Sequence, residues 1–120
     1  MFADVEIISN NTYKFQLFTY SVPENLSNKI DIGSLVSVNF RNRKKTAVVV
    51  NIHNKDLKIK NLKPVEKIIS KLNQDQLLFL KHVAVSYYLN IGFLIFNLYK
   101  DMNFKLDKKI KNSSLSIYNL

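Results

Sequence analysis

Three groups of side chains in this sequence have the chemistry to bind a charged polymer that carries aromatic bases. Phe18, Thr19 and Tyr20 are consecutive, so a strand would place both rings on one face and the Thr19 hydroxyl on the other. Lys63 precedes Pro64, which biases the lysine toward an extended backbone. The third group is a run of cations: Arg41, Arg43, Lys44 and Lys45. Rings stack on bases and cations neutralise phosphates, so these groups are candidate nucleic-acid contacts.

Each group also has an ordinary structural interpretation. Phe18 and Tyr20 alternate as core residues of a strand would, and Tyr20 is the more typical core residue of the two. Thr19 fits an exposed strand position, and Lys63 fits a solvated surface. The basic run fits a solubilising loop between two strands. The residues alone leave both interpretations open.

The positive charge is concentrated in the middle of the chain. The whole chain has a formal net charge of +9 over 120 residues. Residues 1–40 hold two Lys and four acids, whereas residues 41–71 hold ten Lys or Arg and two acids. Residues 72–120 hold six Lys and three Asp. A compositional bias would spread lysine evenly, so the central block favours binding of a polyanion.

Composition excludes several other classes of protein. There is no cysteine, which rules out disulfides, thiolate catalysis and cysteine zinc sites. His53 and His82 have no partner at metal-ligand spacing, so we expect no metal site. With two glycines the chain cannot form a phosphate-binding loop, so we expect no enzyme activity in it. We expect a cytoplasmic monomer that contacts no membrane.

The candidate residues fall in a region whose periodicity predicts short antiparallel strands. We predict five of them, at 5–8, 15–22, 35–40, 46–52 and 65–69. The fold class is therefore mainly β with C-terminal helices: a small antiparallel β-barrel or sandwich, OB-like, followed by two short helices.

The helical pattern begins at Asn73, where a capping box with Gln76 is predicted. A helix face that packs on the barrel is predicted from the spacing of Leu77, Leu80, Ala84 and Tyr87, and Leu78 widens this face. Phe96 is predicted to join it from a second helix at 93–99. Asn90 and Gly92 are predicted to end the first helix. We predict a β-barrel DNA-binding subdomain at 1–72, a helical subdomain packed on it at 73–100, and a linker at 101–120.

Six motifs in order resemble the N-terminal 3′ DNA-end-binding domain of PriA-type replication-restart helicases (primosomal protein N′). They are Phe18 to Pro23, Gly33, Val36 to Phe40 with Arg43, Val48 to Val50, Leu62 to Val65, and Tyr87-Tyr88 with Ile91-Gly92. The resemblance covers about residues 3–104. Two departures stand out: Thr19 occupies a position that is acidic in the family and associated with reading the terminal nucleotide, and Arg41 occupies a glycine position.

The resemblance implies a module that holds the 3′ end of the nascent leading strand at a stalled fork. It implies that forked, 3′-ended DNA is the partner and that Phe18, Thr19 and Lys63 lie at the pocket for its end. Tyr20 and the cations at 41 and 43–45 remain candidate contacts by residue type and position. The resemblance further implies helicase domains of the same polypeptide and primosome or single-strand-binding proteins as partners. ATP, magnesium and zinc would then belong only to the missing helicase region.

Two other functions remain open at this stage. One is a general single-stranded DNA- or RNA-binding OB-like module without end specificity. The other is a structural domain that docks on other domains.

Overall fold

A computed structural model describes residues 1–9, 16–55, 61–87 and 89–99. It contains a five-stranded antiparallel sheet followed by two helices, as the sequence predicts. The strands are β1 (Phe2–Ile7), β2 (Phe18–Ser21), β3 (Ser34–Phe40), β4 (Arg43–His53) and β5 (Lys67–Lys71), in the sheet order β2-β1-β4-β3-β5. The helices are α1 (Gln74–Tyr87) and α2 (Ile91–Tyr99). The predicted linker at 101–120, Tyr88 and the predicted start of β2 at Phe15 lie outside the described residues.

The segment that precedes β5 closes the sheet into a small barrel. The Ser21 backbone N–H donates to the Lys63 carbonyl at 3.0 Å, and the Val65 N–H donates back to the Ser21 carbonyl at 2.9 Å. The Glu66 N–H donates to the Ser37 carbonyl of β3 at 2.8 Å. Residues 63–66 therefore link the edge strand β2 to β3, and the barrel buries the alternate side chains of its strands.

Two hydrophobic clusters form the core on the two faces of this sheet. The barrel interior contains Ala3, Val5, Ile7, Tyr20, Val22, Ile30, Val36, Val38, Phe40, Ala47, Val49 and Val65. The second cluster joins the outer face of the sheet to both helices and contains Ile8, Leu35, Val48, Leu72, Leu77, Leu80, Ile91, Leu94 and Ile95. We call the two helices and this second cluster the helix layer.

The start of α1 confirms the predicted capping box. The Gln76 N–H donates to Asn73 Oδ1 at 2.7 Å, and the Asn73 N–H donates to Gln76 Oε1 at 3.0 Å. Leu77 and Leu80 are buried as predicted, but Tyr87 is 70 % exposed and Leu78 is 61 % exposed. The predicted helix face was wrong at these two positions, because the buried side of α1 is narrower than predicted. It contains Gln76, Leu77 and Leu80, and Tyr87 is the last residue of the helix.

Gly92 corrects a second prediction about the helices. It does not end α1 but is the second residue of α2. A Cβ at this position would lie 2.2 Å from the Ile7 carbonyl oxygen, so only glycine allows the helix to approach β1 this closely. The Gly92 N–H donates to Glu6 Oε1 at 3.2 Å, which satisfies a free donor at the start of α2.

No single helix among the described residues is long and apolar enough to cross a membrane. The two helices reach the length and apolar composition of a membrane span only when they are taken together, and they are bent by 113° relative to each other.

Candidate nucleic-acid interface

The β3–β4 hairpin ends in a two-residue turn whose conformation sets the site. Arg41 and Asn42 both have positive φ, +52° and +65°, as a type I′ turn requires. The Asn42 N–H donates to Asn39 Oδ1 at 3.1 Å and fixes the turn. Arg41, which stands at the glycine position of the family resemblance, thus adopts a backbone conformation that glycine takes freely.

Phe18 lies against this hairpin and not in the centre of the barrel. Its ring and the Phe40 ring form a T-shaped pair with centroids 4.7 Å apart, and Phe18 remains half-buried at the rim of the interior cluster. The Arg41 guanidinium lies 4.8 Å from the centre of the Phe40 ring, within cation–π distance. The buried Phe40 ring therefore contacts both the half-buried Phe18 ring and the exposed Arg41 side chain at the end of the hairpin.

Asn39 connects the hairpin to Lys63. Lys63 Nζ donates to Asn39 Oδ1 at 3.0 Å, although Lys63 itself is exposed. The Tyr20 hydroxyl donates to the Asn39 carbonyl at 2.7 Å. Burial and the negative charge of Glu66 raise the pKa of Tyr20, so its hydroxyl remains a donor. Tyr20 is 5 % exposed, and in this structure it supports the hairpin from within the core.

We call the group Phe18, Tyr20, Asn39, Phe40, Arg41 and Lys63 the hairpin site. Four of its members were singled out from sequence, namely Phe18 and Tyr20 in one strand motif, Arg41 in the basic run and Lys63, and the fold brings them together. Lys63 reaches the site because residues 63–65 close the barrel beside β2. A lysine bonded to a neutral amide keeps its full charge and two further donors for a ligand.

The basic run does not form one patch, because most of it belongs to a strand. Only Arg41 is in the turn, and β4 begins at Arg43. Arg43 pairs with Phe40 and Lys45 with Val38, whereas Lys44 pairs with Asn39. Paired residues share a face, so the pleat places Arg43 and Lys45 on the Phe40 side and Lys44 on the outer side.

Thr19 lies on the outer side of β2 and is joined to β1. Its hydroxyl donates to Asp4 Oδ1 at 2.7 Å, and Asn51 Nδ2 donates to Asp4 Oδ2 at 3.3 Å. The Lys55 N–H donates to His53 Nδ1 at 3.2 Å, which assigns the ring proton to Nε2, the donor to Asp4 Oδ1 at 3.1 Å. Burial opposes ionisation of Asp4, but the hydrogen bonds from Thr19, His53 and Asn51 outweigh it and lower its pKa.

Sequence reasoning missed Asn39, Phe40 and Asp4. Phe40 alternates with Val36 and Val38 and is indistinguishable in sequence from a core residue of β3. Asp4 gave no signal, because its neighbours Thr19 and His53 are 15 and 49 residues away. Asn39 precedes a turn, and the Asx-type bond that it makes to Asn42 was the one local clue.

Comparison with known proteins gives one match. The family model of the PriA 3′ DNA-binding domain (3′BD) matches residues 6–99, which is most of the chain and includes the whole hairpin site. No curated protein matches the chain. The chain therefore belongs to the PriA 3′ DNA-binding domain family and is a DNA-binding domain.

Proposed function

We propose that this domain binds the free 3′ end of the nascent leading strand at a stalled replication fork. Its parent protein would be an ATP-dependent 3′-to-5′ helicase that restarts replication. ATP, magnesium and zinc would act in that helicase part. The observation that supports the proposal is the convergence of Phe18, Arg41 and Lys63 on Asn39 and Phe40.

In this proposal the rings receive the terminal base. Phe18 is half-buried and packs against the Phe40 ring, and the terminal base would stack on the exposed part of its side chain. Stacking of a base on an aromatic ring contributes about 1–3 kcal/mol and accepts any base. A protein that must bind whichever nucleotide ends a strand needs this tolerance.

Lys63 supplies recognition of the end itself. Its ammonium is fixed by Asn39 Oδ1 at 3.0 Å and can donate to a 3′ hydroxyl or to the neighbouring phosphate. A 3′ phosphate is bulkier than a hydroxyl, and the proposed preference for a hydroxyl end rests on this bulk, because the charge of the phosphate itself would be attracted by Lys63. We therefore expect the end group to change the affinity.

Thr19 and Asp4 supply hydrogen-bond acceptors on the outer face of the sheet, opposite to the rings of Phe18 and Tyr20. The Thr19 hydroxyl already donates to Asp4, so it can offer a ligand only its lone pairs. The carboxylate next to position 19 comes from Asp4 on β1, and the low pKa of Asp4 keeps it ionised at neutral pH. These acceptors suit the amino group of a base.

The test compares two oligonucleotides that differ only in a 3′ hydroxyl or a 3′ phosphate, measured by fluorescence anisotropy. We expect the wild type to prefer the hydroxyl end. Phe18→Ala should weaken binding to the hydroxyl end by about fivefold or more, since stacking contributes about 1–3 kcal/mol. Lys63→Ala should also weaken this binding, and both variants should reduce the preference. Phe18→Leu preserves packing against Phe40 and should show the same loss, which separates lost stacking from lost folding.

Lys81→Ala is the matched control, because Lys81 is an exposed lysine on α1. It should leave the preference for the hydroxyl end intact. Equal affinity of the wild type for both ends would refute end recognition and favour a general single-strand-binding module. An unchanged preference in both Phe18→Ala and Lys63→Ala would refute the assignment of the hairpin site.

A further inference from the structure

The outer face of β3 carries a set of cations that comes from three different parts of the chain. In the β3–β4 register Asn39 pairs with Lys44, and in the β3–β5 register Ser37 pairs with Lys67. Side chains of paired residues lie on the same face, so Lys44 and Lys67 flank β3 on the face of Asn39. This face is opposite to the one that buries Val36 and Val38.

Lys63 completes this set. Its Nζ lies 3.0 Å from Asn39 Oδ1, so its charge is located on the same face as Lys44. All three lysines are exposed, and none forms a salt bridge with a described residue. Lys71, by contrast, also lies on β5 but pairs with Asp31 at 2.8 Å. We call Lys44, Lys63 and Lys67 the lysine triad.

The nearby acids do not neutralise the triad. Glu66 precedes Lys67 in the chain, but its charge acts on Tyr20 and it forms no salt bridge with any lysine of the triad. Asp4 and Glu6 lie on β1, across β4 from the triad. Asp4 is bonded to Thr19, His53 and Asn51, and Glu6 to the backbone of Gly92. The triad is therefore a patch of positive charge without a protein counter-ion among the described residues.

We propose that the lysine triad binds the phosphodiester backbone of the DNA strand whose 3′ end occupies the hairpin site. This assignment of the strand rests on the proposed function. Lys63 is shared by both surfaces, so a strand that leaves the hairpin site passes over the triad. Ser37 and Asn39 are two residues apart on β3, about 7 Å, so Lys67 and Lys44 are far enough apart to contact different phosphates of one strand.

Lys67 provides the sharpest test, because it lies in the triad but outside the hairpin site. The affinity of Lys67→Ala for a single-stranded oligonucleotide would be measured over a series of salt concentrations, with 3′ hydroxyl and 3′ phosphate ends. Loss of one phosphate contact should reduce the slope of log K against log salt by about 0.7. We expect several-fold weaker binding to both oligonucleotides and an unchanged ratio between them.

Lys81→Ala removes an exposed lysine from α1 and should leave the slope at the wild-type value. The proposal would be overturned if Lys67→Ala kept the wild-type slope, or if Lys81→Ala reduced the slope as much as Lys67→Ala does. If the wild type does not distinguish the two ends while Lys67→Ala still loses slope, end recognition and the assignment of the strand fail but the phosphate contact stands. A changed end ratio in Lys67→Ala would place Lys67 in the hairpin site and overturn its role as a backbone contact.

Discussion

The strand β1 places one carboxylate, Asp4, beside β2 and another, Glu6, beneath α2 in the helix layer, and the two have opposite environments. On the side of β2, Asp4 holds Thr19, His53 and Asn51 through its carboxylate, and its pKa is lowered by these bonds despite burial. Two residues later Glu6 lies beneath α2, where burial raises its pKa despite hydrogen bonds from Gly92 and Ile91. The surroundings of Asp4 therefore favour its charged form, whereas the surroundings of Glu6 disfavour its charged form.

This difference reflects how each region is built. The helix layer consists of apolar side chains in contact, with Leu80 and Ile95 fully buried, and one backbone approach at Gly92. The hairpin site combines the half-buried Phe18 ring and the exposed Arg41 and Lys63 with Asn39, whose side chain accepts from Lys63 Nζ and from the Asn42 N–H. Close packing stabilises the fold, and a surface that binds DNA must keep its charges and rings open to solvent.

The largest effect is expected in the helix layer. Gly92→Ala would place a Cβ against the Ile7 carbonyl, and neither backbone can move without separating α2 from β1. We expect the free energy of unfolding to fall by about 3 kcal/mol, measured by chemical denaturation. Ser86→Ala, at an exposed site on α1, is the control and should change little. A Gly92→Ala variant as stable as the wild type would show that α2 is not held this close to β1.

A smaller effect on stability but a clear effect on binding is expected at Asn39. Asn39→Ala removes the acceptor for Asn42 N–H and Lys63 Nζ, which should reduce stability by about 1 kcal/mol and weaken the preference for a 3′ hydroxyl end. Asn39→Asp retains an acceptor oxygen and should restore most of the preference. If Asn39→Ala binds both ends as the wild type does, Lys63 is not positioned by Asn39.

The smallest effect concerns the two carboxylates of β1. Because the pKa of Glu6 is raised in the folded state, the fold binds this proton more tightly than the unfolded chain does, and stability falls as pH rises from 4.5 through the folded pKa. Glu6→Gln should therefore be at least as stable as the wild type at neutral pH, with the difference vanishing in acid. The measurement is the thermal midpoint as a function of pH.

Asp4 provides the opposite control for this comparison. Because the pKa of Asp4 is lowered in the folded state, Asp4 stabilises the fold above the ordinary carboxyl pKa of 3.8, and this stabilisation is lost as pH falls below that value. Asp4→Asn should therefore lower the thermal midpoint at neutral pH. A higher thermal midpoint of Asp4→Asn, or a lower one of Glu6→Gln, at neutral pH would show that the two environments do not differ as described.

Much of the fold was accessible from local sequence patterns. Alternation of Val36, Val38 and Phe40 predicts β3, and the spacing of Asn73 and Gln76 predicts the start of α1, because both signals lie within a few residues. Gly92 was placed wrongly at a helix end, since its role is an approach to a carbonyl 85 residues earlier in the chain, at Ile7. Tyr87 was wrongly expected to be buried, because periodicity cannot tell how far along a helix its packing partner extends.

The candidate site was accessible only in part. The aromatic pair on β2, the basic run and Lys63 could be singled out by residue type, and their roles in binding DNA remain predictions. The division of the basic run between two faces follows from the exact register of β3 and β4, which hairpin length alone did not reveal. Lys67 carried no signal beyond its charge.

The sequence by itself determined the elements, the basic middle of the chain and the family, because propensity, periodicity and composition are local or additive properties. Only the tertiary structure decided that Lys63 meets Asn39, that Asp4 stands beside Thr19, and that three lysines share one face of β3. These contacts join residues that are far apart in the chain, and closure of the barrel through residues 63–66 sets them. Strand pairing, and not any one residue, places the cations where a DNA strand can reach them.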